Sequence, residues 1–259
     1  MTNTDRYTEW QKQQIELEKD IVAERTKRFY LPILNRIKKE KGVNTLKVLD
    51  VGCGNGEGVK VFNDHNLYCI GVDHGFRKEE WHSLDLEDRF IVANGNKLPF
   101  KDGVFDVVVS CGVIEHIGAV GDSRQLVSDY KRLRKQFAEE LIRVTAPSGS
   151  LIITTPNRLF PIDFWHGPFI MGMRFHSPWD YFCLSVGDLK HIFDVGAKTK
   201  KITALPLNGL FMYKRYKQRL ITRLMSSAFN VIVPIISIER FEFLRRGCFA
   251  PFIVARIDK

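Results

Sequence analysis

LKVLDVGCGNG, residues 46–56, is an apolar run that ends in three glycines at alternate positions. A short continuous apolar run closed by a glycine-rich turn reads as a strand buried on both faces of a parallel sheet. Gly52, Gly54 and Gly56 let the chain turn sharply and let backbone approach a ligand closely. Two familiar glycine loops do not fit. A dinucleotide fingerprint needs Gly or Ala at its sixth place. Counted from Gly52 that place is Glu57, and from Gly54 it is Val59. A P-loop needs Gly-Lys-Ser/Thr, which the stretch lacks. The loop therefore suits a ligand without a pyrophosphate. Asp73 closes the next apolar run, LYCIGVD at 67–73, about 20 residues beyond the loop. A carboxylate there can accept hydrogen bonds from both hydroxyls of a ribose.

Working outward, strand-like runs recur at 89–94, 104–112, 151–156, 197–205 and 248–257, the last starting late because of Pro251. Between them lie helical segments: Gly56 to about Asn66, about Ser123 to Thr145, one opened by Ser185 with Asp188 as a capping-box partner, and a basic one over 209–240. Residues 5–41 read as helix, with Pro32 dividing it and Gly42 ending it. Strands alternating with helices imply βαβ units. The fold class is α/β, a doubly wound, seven-stranded, mostly parallel sheet with N-terminal helices. Residues 157–183 break the pattern. They are crowded with aromatics, His, Pro and Gly and have no clean period, as functional loops of this length often are.

The chain has 259 residues, 44% hydrophobic and 27% charged, which suits a globular protein. Its five cysteines are scattered, with no CxxC pair, and read as buried thiols in a reducing compartment. The polar start lacks the apolar core of a secretory signal, and Pro234 interrupts the longest apolar run, so a cytoplasmic protein is expected. The net charge of +9 is uneven: residues 198–259 hold 13 Lys and Arg against 3 Asp and Glu. Such asymmetry points to an anionic partner for the C-terminal quarter.

The motifs resemble class I S-adenosylmethionine-dependent methyltransferases. VLDVGCGNG is similar to the family's first motif and GVD to its acidic post-motif. LPFKDGVFDVVVSCGVIEHI resembles the stretch through the fourth strand, and ELIRVTAPSGSLIITTPNR the helix, turn and fifth strand after it. The resemblance runs over about residues 44–158 and is nearest to methyltransferases of quinone, sugar and cell-surface saccharide pathways. It implies a Rossmann-like methyltransferase fold: one domain over 1–259, with N-terminal helices at 1–42, a cofactor-binding core at 44–156, and acceptor-side insertions at 157–183 and 205–246, the first a lid. The implied cofactor is S-adenosylmethionine. Gly52, Gly54 and Gly56 would pack against its amino-acid end and ribose, with Cys53 between them. Asp50 would orient the loop or the amino group, and Asp73 would hold the ribose with His74 at the border of the adenosine. Relatives often carry Gly-Asp-Ala before Leu-Pro-Phe. Here Ala93-Asn94-Gly95 stands there, so Asn94 and Gly95 take the adenine position, and the Asn94 amide oxygen can still accept from an amine. Ser110, near the end of the fourth strand, completes the expected cofactor set.

Methyl transfer from a sulfonium is an in-line displacement, so positioning supplies much of the rate, and a hydroxyl acceptor must also lose a proton. His116 follows the fourth strand at the sheet edge where ligands bind, and is the first candidate base. His166 and His176, in the aromatic stretch, are the others, with Asp163 and Asp180 close in sequence. The expected activity is O-methylation of a small polar or lipid-linked acceptor, such as a sugar or glycan intermediate. RNA methylation, motivated by the basic C-terminal quarter, and a non-catalytic cofactor-binding partner protein are the alternatives. Nucleic acid is disfavoured because no RNA-binding module and no Asn/Asp-Pro-Pro-aromatic motif are present. The basic and apolar mixture over 209–246 instead suits peripheral contact with an anionic membrane surface. No metal is expected.

Overall fold

The computed structural model describes residues 15–121, 123–167, 174–210 and 231–259. Its centre is a seven-stranded sheet in the order β3-β2-β1-β4-β5-β9-β8. The strands are β1 (Lys47–Val51), β2 (Tyr68–Asp73), β3 (Phe90–Val92), β4 (Phe105–Cys111), β5 (Thr145–Pro156), β8 (Lys201–Ala204) and β9 (Phe252–Asp258). β1 to β5 run parallel, and β9 is antiparallel to both β5 and β8. The expected Rossmann-like, mostly parallel sheet is the one observed. A second, two-stranded sheet pairs β6 (Ile162–Asp163) with β7 (Arg174–Phe175) inside the aromatic insertion.

Period-2 alternation along the strands splits the core into two layers. Val107 and Val109 of β4, Ile152 of β5 and Val254 of β9 face one layer, with Leu34 and Phe62 from α2 (Leu31–Lys41) and α3 (Glu57–Asp64). Val108, Ile153 and Ile253 face the other, against Phe137 and Leu141 of α5 (Tyr130–Val144) and Leu189 of α6 (Val186–Ile192). Helices on both faces make the sheet doubly wound.

Several boundaries move for local reasons. Pro32 does not break the N-terminal helix. Residues 15–25 (α1) pass into α2 through a π-helical turn, Thr26–Tyr30, with the Leu31 N–H reaching Thr26 O. The wider turn accommodates a residue that has no N–H and whose ring crowds the preceding turn. Gly42 ends α2 as expected, at φ 65° with its N–H on Lys38 and Lys39 carbonyls. α5 starts at Tyr130 rather than near 123, because 118–127 closes on itself through Val127 N–H to Gly118 O and Val120 N–H to Gln125 O. β5 starts at Thr145, where it already pairs with Phe105. The predicted sixth strand shortens to Lys201–Ala204 because a turn at 195–199 occupies its start. The Ser185–Asp188 capping box is present in both directions.

The basic helix expected over 209–240 falls mostly on 211–230, outside the described residues, and only 231–236 is described as helical. Of the cations described in 198–259, Lys198 pairs with Glu139 and Asp194, Arg246 with Glu242, and Arg256 with Glu40 and Asp258. Arg245 donates to the carbonyls of Ala204, Ile236 and Ile238, and Lys259 to those of Ile142 and Thr145. These five charges make contacts within the chain itself. No helix among the described residues is long and apolar enough to cross a membrane.

Candidate functional site

The parallel register puts the C-terminal ends of β1, β2 and β4 at one sheet edge, so the loops after Val51, Asp73 and Cys111 lie side by side. All three loop glycines have positive φ: Gly52 83°, Gly54 54° and Gly56 83°. Their surroundings differ. A Cβ on Gly52 would lie 2.2 Å from Val113 Cγ2, and one on Gly56 would strike Phe90 and Leu84. A Cβ on Gly54 would meet nothing within 4 Å. Gly52 and Gly56 thus serve close packing, while Gly54 faces open space. Gly54 is also clamped. Its N–H donates to Asp73 Oδ2 at 3.0 Å, and its carbonyl accepts from Trp81 Nε1 at 2.8 Å.

That open space is a cavity lined by Asp50, Gly52, Cys53, Gly54 and Asn55 below, Val109 and Cys111 at the side, and Glu18, Val22, Arg25 and Tyr30 of the N-terminal helix above. Four of the expected cofactor residues, Asp50, Gly52, Cys53 and Gly54, therefore meet in one cavity. Asp73 lies beneath it, holding Gly54. His74 is exposed, its Nδ1 3.2 Å from Asp73 Oδ1 and its ring edge-on to Phe76. The Asn94 amide oxygen accepts the Asn96 N–H at 2.9 Å, an Asx turn that uses one of its two lone pairs. A Cβ on Gly95 would lie 2.7 Å from the Phe137 ring, so this glycine admits α5 against the sheet. Ser110 is not at the cavity. It is buried and sits between the cavity-lining Val109 and Cys111, so alternation turns it to the opposite face. Cys111 occupies the place expected of it.

Two cavity residues carry unusual electrostatics. Burial raises the Asp50 carboxyl to about 7; Arg25 opposes the rise and Asp73 adds to it. Arg25 Nε is buried and has no hydrogen-bond partner among the described residues, and its guanidinium lies 5.9 Å from the Trp165 ring centroid. A cation and a buried acid in one cavity match a ligand carrying both charges, such as an amino acid group. Arg25, Tyr30 and Trp81 were not legible as site residues. Their segments carry only an amphipathic pattern, and no spacing rule links them to a loop some 30 residues away.

Beyond Cys111 the chain turns at Gly112 and presents Glu115 and His116. Glu115 is fully buried, and only its own backbone N–H and the Thr155 hydroxyl approach its carboxylate, neither in good hydrogen-bond geometry. Burial raises its carboxyl to about 7, against the opposing charge of His166. His116 Nε2 lies 3.1 Å from His166 Nε2, and His166 Nδ1 lies 2.9 Å from Asp163 Oδ2. Burial alone would raise the Asp163 carboxyl. The hydrogen bond and charge of His166, the Trp165 amide and Arg174 outweigh that and hold it below the usual carboxylate range. Two of the three candidate histidines thus come together from segments 50 residues apart. His176 does not join them. Its Nδ1 lies 3.2 Å from Ser177 O, and its backbone N–H donates to Pro161 O. Asp180 pairs with Arg174 rather than with a histidine. Arg134 of α5 binds this region together, donating to the carbonyls of Glu115, Ile117, Tyr181 and Phe182.

Residues 49–153 match a family model described as a methyltransferase domain. Among curated proteins, the chain is 32% identical over 114 residues to a "Probable S-adenosylmethionine-dependent methyltransferase" of Mycolicibacterium smegmatis, covering 43% of this chain and 38% of that one. It is 31% identical over 140 residues to the 2-methyl-6-phytyl-1,4-hydroquinone methyltransferase of Synechocystis, covering 49% and 40%. It is 33% identical over 107 residues to the mouse "Probable tRNA methyltransferase 9B", covering 41% and 21%. In each case the chain spans less than half the length of the relative it matches.

Proposed function

We propose that the chain, whose residues 49–153 match a methyltransferase domain model, is a class I S-adenosylmethionine-dependent enzyme that moves the methyl group of S-adenosylmethionine to a hydroxyl. The acceptor is a small polar or lipid-linked molecule such as a sugar or glycan intermediate. The observation that carries the reading is the Asp163–His166–His116 chain, in which His116 follows the strand whose last residue, Cys111, lines the cavity. In the neutral ring, the His166 Nδ1–H donated to Asp163 leaves Nε2 as an acceptor toward His116. A pair arranged in this way can take a proton from a hydroxyl whose oxygen attacks the sulfonium methyl. Purified protein is expected to methylate hydroxyl acceptors in a labelled-cofactor assay. Clean transfer to amines with none to hydroxyls would overturn the assignment.

In this reading Asp50 and Arg25 face the amino-acid end of the cofactor, Asp50 toward the ammonium and Arg25 toward the carboxylate. The cofactor then binds the ionised form of Asp50, whose carboxyl lies at about 7 in the unliganded protein. Below that pH binding must expel a proton, so affinity is expected to fall by up to about tenfold per pH unit as pH drops and to level off above it. Titration calorimetry between pH 5.5 and 8.5 reads the slope, and Asp50→Asn should flatten it. Asp73→Ala is expected to weaken S-adenosylhomocysteine binding by about 30-fold, since the loop amide loses its acceptor and a charge-assisted contact disappears. An unchanged calorimetric affinity would refute the ribose assignment.

A lipid-linked acceptor is favoured by the apolar side chains exposed at Val231, Ile232, Ile235, Ile238, Phe243 and Phe249. Co-sedimentation with anionic but not neutral vesicles, weakening with salt, would support a surface-bound enzyme. RNA retained on a filter at physiological salt would instead favour RNA as acceptor.

A further inference from the structure

We propose that Glu115, His116 and His166 form a binding site for a divalent transition-metal ion of the zinc type. One ligand atom from each residue lies within 4.8 Å of the other two. The two Nε2 atoms are 3.1 Å apart. Two nitrogens each about 2.1 Å from one ion stand about 3.0 to 3.4 Å apart in octahedral or tetrahedral geometry. The imidazole pair therefore already has the spacing of two ligands on a shared ion.

The third ligand supplies the independent observation. Glu115 is fully buried, and only its own backbone N–H and the Thr155 hydroxyl approach its carboxyl, neither in good hydrogen-bond geometry. A buried carboxylate so weakly satisfied is costly, and a cation at this position removes the cost. Two imidazoles and a carboxylate form the donor set that zinc and similar first-row ions take, leaving room for a water or substrate oxygen. The surroundings are also those of a ligand set. Asp163, fully buried, receives the Trp165 and His166 amides, Arg174 Nε and His166 Nδ1. The last contact fixes the tautomer that turns the His166 Nε2 lone pair toward His116, the role outer carboxylates play behind metal-bound histidines. Gly112, at φ 69°, lets the chain double back so that the residues just after β4 meet the insertion.

The site does not depend on the methyl-transfer reading, but its use does. With the ion bound, both Nε2 lone pairs are coordinated and the ion replaces the histidine pair as the activating group: an acceptor hydroxyl on it would lose its proton near neutral pH, the proton passing to solvent. The resulting oxygen anion would attack the methyl carbon while the carbon–sulfur bond breaks toward sulfur.

The full chain, stripped with chelator, is titrated with Co²⁺ and followed by visible absorption, then by competition with Zn²⁺. One ion per chain is expected, with imidazole-type ligand-field bands. His116→Ala, His166→Ala and Glu115→Gln should each weaken binding more than tenfold. Asp163→Asn should weaken it about tenfold, and the exposed His191→Ala should leave it unchanged. S-adenosylhomocysteine calorimetry on each variant reports whether the fold and cofactor cavity survive. Equal metal uptake by the wild type and the His116→Ala/His166→Ala double variant would overturn the proposal. So would no stoichiometric binding by folded wild type. Metal binding without cofactor binding would sink the methyltransferase reading alone.

Discussion

Gly54→Val is expected to lower affinity for S-adenosylhomocysteine by about a hundredfold or more while the protein still folds. The residue sits at φ 54°, where a β-branched side chain costs about 1–3 kcal/mol of backbone strain. The backbone has no easy escape, because Asp73 holds the Gly54 N–H and Trp81 its carbonyl. No atom lies within 4 Å of the position a Cβ would take, so the native packing admits the branch and the cavity receives it. The ligand must then give way. Gly52→Val provides the contrast. Its Cβ would lie 2.2 Å from Val113 Cγ2, so the expected result there is loss of folded protein rather than of binding. Calorimetry with S-adenosylhomocysteine and thermal melts on both variants separate the cases. Full affinity in Gly54→Val would remove the glycine loop from the cofactor site.

His116→Ala is expected to lower kcat by about 10²-fold or more with cofactor affinity changed less than about twofold. His116 contacts the His166 ring and the Phe182 ring and does not line the cofactor cavity, so its removal should leave cofactor binding intact. Asp163→Asn should reproduce part of the loss, because the amide no longer fixes the His166 tautomer. Single-turnover methyl transfer measures the step directly. An unchanged rate in His116→Ala would exclude His116 from the chemistry and, with it, the hydroxyl-acceptor assignment that rests on the histidine pair. His176→Ala should be close to neutral, since its ring stands apart from the pair.

Much of the fold was legible because its signals are local. Buried strands are short apolar runs, and the seven strands of the main sheet were placed from such runs and the turn residues between them. The Gly42 terminus and the Ser185–Asp188 cap were readable because caps depend on two or three neighbours. The errors fell where a longer-range constraint intervened. The π turn before Pro32 and the late start of α5 both depend on which backbone groups find partners elsewhere. Ser110 was misassigned because a strand's period says which residues share a face, not which face meets the ligand.

The alternation of apolar runs with helical segments sufficed for the α/β class, and four ordered motifs over about residues 44–158 for the resemblance to methyltransferases, since each is a pattern of neighbouring residues. Folding decided the rest. Only the packed chain brings Arg25 over the loop from 27 residues upstream, leaves open space at Gly54 while crowding Gly52 and Gly56, and places His166 against His116 across 50 residues with the buried Glu115 within reach of both. Those are contacts between elements, and their geometry follows from sheet order and helix packing, to which no local periodicity is sensitive.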